Sequence, residues 1–189
     1  MRAKLYCIAL IACWALGRSA ASDREAPVTR ADLLGAWRLV ATTYSGPDGS
    51  HSDPFYQPHS IGLIEYDASG WMSVQISAPH REGVAVAAAR VSARGDAQES
   101  RAKAAAFDSY YAYFGTWDFD PATSTVTHHV SVALIPDEIG LDYAQSVRFD
   151  HGRLVLTTRS GVQGRETVRT KTWERTASAP DRTHSPHGR

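Results

Sequence analysis

Between Gly35 and Arg175 the chain repeatedly alternates apolar with polar residues, and tight-turn signals close each alternating run. That pattern constrains the fold more than any other feature. Period-two runs require a sheet with one face buried, and short links make successive runs pair antiparallel. Gly46-Pro47-Asp48-Gly49, Asp67-Ala68-Ser69-Gly70, Asp120-Pro121-Ala122-Thr123 and His151-Gly152 are such links. Their residues preset φ or tolerate positive φ. The runs between them predict strands over residues 35–45, 61–66, 71–78, 114–119, 125–134, 143–150, 153–160 and 166–175. Residues 51–59, with Pro54 and Pro58, read as an irregular loop.

One stretch departs from the alternation. Asp96 followed by Glu99 fits a capping box, and the Ala-rich residues after it predict a helix running to Tyr113. Ala102, Ala106, Tyr110 and Tyr113 fall along one stripe of that helix. Residues 83–94 show no clear period and stay open between a loop, a weak helix and a lid. The expected fold is all-β: an eight-stranded antiparallel up-and-down β-barrel with one helical insert between the third and fourth strands. A sandwich is the alternative, and the two-residue links count against it.

At 189 residues and 43% hydrophobic composition, the chain suits one domain with a sizeable core. Residues 1–21 read as a secretory signal. Arg2 and Lys4 precede an apolar run from Leu5 to Leu16, and Ser19-Ala20-Ala21 offers a cleavage site. Leu10-Ile11-Ala12-Cys13 also resembles a lipoprotein signal, which would anchor the protein through Cys13. The expected location is therefore exported, periplasmic or secreted. Residues 22–32 form a lead-in, 33–176 the barrel, and 177–189 a tail without apolar content enough to order it. Cleavage at Ala21 removes both cysteines, Cys7 and Cys13, so disulfides and thiol catalysis are excluded from the mature chain. It also removes three of the 20 basic residues and none of the 20 acidic ones, for a net charge of −3. No basic footprint for nucleic acid remains.

Five pieces, in order, carry a family resemblance. They are Leu34-Gly35-Ala36-Trp37-Arg38-Leu39, the hairpin from Tyr66 to Gln75, Tyr113-Phe114-Gly115-Thr116-Trp117, Val126-Thr127-His128-His129-Val130 and Thr172-Trp173-Glu174-Arg175. Together they resemble the bacterial and fungal lipocalin-like domain family over about residues 33–175. The resemblance implies a barrel with a small-molecule cavity. It also implies that Gly35, Trp37 and a basic residue of the last strand, Arg175 or Arg169, seal the barrel base. The chain departs from classical lipocalins by its long insert and by lacking their mid-chain Thr-Asp-Tyr motif.

Candidate site residues follow from alternation. His128 and His129 are consecutive on a strand, so they point to opposite faces and cannot jointly hold one metal. His128 shares a face with Val126, Val130, Val132 and Leu134, and His129 one with Thr127, Ser131 and Ala133. If that second face lines a cavity, His129 is a candidate ligand-orienting group or general base; otherwise it is a surface residue. Trp71, Tyr110, Tyr113, Trp117 and Trp173 form either the aromatic wall of a pocket or a packed barrel interior. Gln75, Arg148 and Lys171 are expected to turn inward, with Arg148 suited to a carboxylate. The expected ligand-binding set is therefore Trp71, Gln75, Tyr110, Tyr113, Trp117, His129, Arg148 and Trp173. No Gly-x-Ser-x-Gly, His-Glu-x-x-His or phosphate loop is present, so no metal or cofactor is expected. Three functions stay open: an exported barrel binding a small hydrophobic or amphipathic molecule, an isomerase or cyclase using the barrel as its active site, and a packed structural barrel.

Overall fold

A computed structural model describes residues 27–47, 49–51, 59–81, 97–161 and 166–177. A single helical turn, α1 (Arg30–Leu33), precedes strands β1 (Gly35–Gly46), β2 (Gly49–His51), β3 (Ile61–Tyr66) and β4 (Trp71–Ser77). Helix α2 (Ala97–Asp108) follows, and then strands β5 (Tyr110–Asp120), β6 (Thr125–Ala133), β7 (Asp142–Asp150), β8 (Arg153–Ser160) and β9 (Thr167–Arg175). A 3-10 turn, Pro136–Glu138, joins β6 to β7. β1 pairs antiparallel with both β2 and β3, each strand from β3 to β8 pairs antiparallel with the next, and β1 also pairs with β9 from Trp37↔Arg175 to Ser45↔Val168. That last seam closes an up-and-down barrel of eight strands, β1 and β3 to β9. β2 merely extends the far end of β1 as a hairpin, Tyr44 opposite His51.

The strands lie where alternation put them, because one side of each has enough apolar area to bury. On β4, Met72, Val74 and Ile76 are buried while Trp71 and Gln75 face solvent. Full burial of such aliphatic side chains contributes roughly 1.5–3 kcal/mol each. The helix does not run to Tyr113. It ends at Asp108, and Tyr110 to Tyr113 belong to β5, paired with Ser77 to Val74 of β4. The run Tyr-Tyr-Ala-Tyr has stronger strand than helix preference once a partner edge is available. The proposed stripe of Ala102, Ala106, Tyr110 and Tyr113 is thus broken between two elements. Asp96, residues 83–94, the signal-like residues 1–21 and the tail beyond 177 lie outside the described residues.

Two bulges revise the expected faces. The β1–β9 register shifts between Leu39 and Ala41, so Ala41 is exposed and Thr42 and Tyr44 turn inward. The β5–β6 register shifts between Phe114 and Gly115, with Ser131 as the extra residue on β6. Beyond it Ala133 faces the interior, and Val132 is 47% exposed instead of sharing the face of His128; Leu134 lies on the outer side with it. Gly115 permits this crossing, since a Cβ there would lie 1.9 Å from the carbonyl oxygen of His129.

Candidate functional site

The floor of the barrel is built by α1. The Asp32 carboxylate accepts the Thr29 N–H at 2.8 Å and the Thr29 hydroxyl at 2.7 Å, which holds its pKa below the usual carboxylate value. The turn so fixed drops Leu33, fully buried, into the barrel end. The Leu33 carbonyl accepts the Trp37 indole N–H at 2.8 Å. From β9, Arg175 lays its guanidinium 4.1 Å from the Trp37 ring centroid and donates to the carbonyls of Leu34 at 2.6 Å and Asp32 at 2.8 Å. Gly35 has φ +108°, and a Cβ there would meet Arg175 Nη1 at 3.0 Å, so both backbone and space demand glycine. Arg175, not Arg169, therefore makes the expected seal. A second stack lies beside it, with Arg30 of α1 3.8 Å over Trp117, whose indole N–H donates to the Asp67 carbonyl at 3.1 Å. Each cation–π contact contributes about 0.5–2 kcal/mol.

Above this apolar floor the interior holds a polar cluster centred on His128, which is fully buried. Tyr66 Oη lies 2.7 Å from Nε2, Tyr113 Oη 2.7 Å from Nδ1, and the Gln145 amide nitrogen 3.2 Å from Nδ1. An amide nitrogen only donates, so Nδ1 is the acceptor of the Gln145 N–H and the Tyr113 O–H. Nε2 then carries the proton and donates to Tyr66. Burial, with lesser contributions from the Lys171 and His129 charges, lowers the His128 pKa to about 3. Burial likewise pushes the Tyr66 pKa well up. The ring is neutral across the physiological range.

Toward the end opposite α1, inward side chains become polar and solvent reaches them. Thr42, Tyr44, Tyr143, Arg169 and Lys171 are all half-buried. Tyr111 donates its O–H to Glu138 at 3.0 Å where the 3-10 turn folds over the rim. Burial and the nearby Glu138 carboxylate raise the Tyr143 pKa to about 12.

The structure brings Tyr113, Trp117 and Trp173 of the expected set into the interior, where each is at most 6% exposed. It turns the others outward. Trp71, 53% exposed, rests against Phe114 on the outer wall, because the aliphatic face of β4 takes the core. Gln75 is exposed farther along the same face of β4. Tyr110 lies opposite Ser77 on the outer face, with the Arg81 guanidinium 5.0 Å from its ring centroid. Arg148 is exposed and ion-pairs with Asp150 at 3.2 Å. His129 sits on the outside between two carboxylates, Nδ1 2.6 Å from Asp142 and Nε2 3.1 Å from Asp118. Those partners, the Asp142 hydrogen bond above all, raise its pKa. The interior groups that alternation passed over are His128, Tyr66 and Gln145. A signal for His128 was present, since it lies between Val126 and Val130 on the more apolar face.

A closed up-and-down barrel with an arginine-sealed Trp floor and a mixed interior defines a lipocalin-like protein. The family profile of the lipocalin-like domain matches residues 34–176, and the chain belongs to that family. No curated protein matches the chain.

Proposed function

We propose that this protein is an exported barrel that holds one small amphipathic molecule in its interior, admitted at the end away from α1. The observation that supports this reading is the polar cluster of His128, Tyr66, Tyr113 and Gln145 in mid-barrel, below a wall of half-buried polar side chains. A barrel serving only as a scaffold gains little from such a cluster, because well-packed apolar replacements for buried polar groups are often neutral or stabilising. Export rests on the signal-like pattern of residues 1–21, with anchoring through Cys13 as its variant.

Catalysis would fall to the same cluster, not to His129, which lies outside. Burial moves His128 and Tyr66 in opposite directions away from neutrality, to a very weak base and a very weak acid. Such groups fix hydrogen-bond directions better than they move protons. Binding is the reading this geometry favours.

Native mass spectrometry of the protein recovered from its own host's envelope or medium tests it. A stoichiometric adduct, released as a small molecule on denaturation, is the expected result. A clean apo mass, with no uptake of added aliphatic or aromatic amphiphiles, overturns it.

A further inference from the structure

We infer that the bound molecule carries a carboxylate or an equivalent anionic head, seated against the β9 wall at Lys171 and the indole N–H of Trp173. The inference rests on the binding reading above and names the chemistry of that same site.

Its first support is how the strands sort their charges. Glu65, Asp118, Asp120, Asp142, Asp150 and Glu174 are the carboxylates on the described strands, and all occupy outward positions. Cations on inward positions are Arg169, Lys171 and Arg175, every one of them on β9. Arg175 is engaged in the floor, and Arg169 lies higher, 5.7 Å over the Tyr44 ring. Lys171 is placed between them, one inward step above Trp173, and its charge acts on the buried ring of His128. An interior lined by cations on one wall and free of strand carboxylates, with Glu138 at the rim on Tyr111, attracts an anion to the β9 side.

The second support is independent of charge. Trp173 is 1% exposed, and its Nε1–H has no hydrogen-bond acceptor among the described residues. The other two interior indoles each donate to a carbonyl, Trp37 to Leu33 and Trp117 to Asp67. A buried donor without an acceptor is costly, and a ligand oxygen at that position removes the cost. Tyr66, accepting from His128 Nε2–H, keeps its own O–H to donate. Trp173 and Tyr66 thus offer two neutral donors and Lys171 an ammonium, all on inward positions, a set that fits an anionic oxygen pair better than an alcohol or an amine.

Isothermal titration with matched pairs tests this: dodecanoate against dodecanol, and 2-naphthoate against 2-naphthalenemethanol. The acid of at least one pair should bind about tenfold tighter than its alcohol. Lys171→Met should abolish that preference by weakening the acid far more than the alcohol, and Trp173→Phe should weaken the acid severalfold with the fold intact. If Lys171→Met does not fold, salt replaces it: raising sodium chloride from about 0.02 M to about 0.5 M should weaken the acid severalfold and spare the alcohol. Equal binding of acid and alcohol overturns the anionic head and leaves the barrel reading standing. Failure of all four compounds to bind folded protein overturns both.

Discussion

His128 and His129 are consecutive on β6 and their pKa values are shifted in opposite directions, the first lowered inside the barrel and the second raised between Asp118 and Asp142 on its surface. For His128 the folded pKa of about 3 lies below the unfolded value of 6.5. Below that unfolded value the unfolded chain binds a proton that the folded chain refuses. Stability should therefore be intact above about pH 6.5 and fall by up to about 1.4 kcal/mol per unit as the medium is acidified toward pH 3. Asp32, Asp67, Asp120 and Asp150, all lowered from 3.8, lose their contributions only as pH falls below roughly 5. Urea denaturation between about pH 7 and pH 5 reads His128 against a smaller, opposite contribution from His129, and His128→Gln should remove the loss of stability in that window. A wild-type midpoint that does not move there counts against the buried neutral imidazole.

His129 works with the other sign. Its folded pKa is raised, so its contribution is complete below pH 6.5 and is lost as pH rises through the folded value. Both partner carboxylates are mostly exposed, which limits the effect to below about 1 kcal/mol. A proton NMR titration should place His129 above 6.5 and His129 in an Asp142→Asn variant closer to it. An unshifted titration in the wild type would contradict the bridge.

Arg175 holds two backbone carbonyls and an indole at once, so its truncation leaves all three without their partner. Arg175→Met should cost about 2–4 kcal/mol, and Arg175→Lys somewhat less, since an ammonium cannot span both carbonyls in a fork. Equilibrium denaturation reads the difference directly. Parity of Arg175→Met with wild type would mean that the floor is held by Leu33 and Trp37 alone.

Gly115→Ala should be among the most damaging single changes in the chain. Its Cβ would overlap the His129 carbonyl, a backbone atom that cannot swing aside without undoing the Ser131 bulge. A loss of about 4 kcal/mol or failure to fold is expected, read as soluble yield and near-ultraviolet circular dichroism. A well-folded Gly115→Ala protein would refute the close approach.

Strand positions were legible because period-two patterning and turn chemistry act locally. Residues 61–66 and 153–160 coincide with β3 and β8, and the family resemblance narrowed the partner of Trp37 to Arg175 or Arg169, of which the structure takes Arg175. Which face points inward was harder to read. Alternation divides a strand into two sets without saying which one the barrel encloses, and bulky aromatics fall in both sets on β5, Tyr111 and Tyr113 inside, Tyr110 and Phe114 outside. The bulges at Leu39/Ala41 and at Ser131 then swap the sets partway along β1 and β6. Neither bulge has a local signature beyond Gly115, because both are settled by how the barrel closes. The facing of His129 is open in the sequence for the same reason: small polar neighbours fit a cavity wall or a solvent face, and the structure makes them the solvent face.

The clasp at the floor also ties together the two ends of the domain. Arg175 donates to Asp32 and Leu34, and the Thr176 amide donates to Ala36, so residues far apart in the chain meet at one seam. During synthesis, β1 must wait with an open edge until β9 has emerged. The nascent barrel therefore stays an open, adhesive sheet until β9 arrives, which makes a factor that shields unpaired strands most useful at that stage.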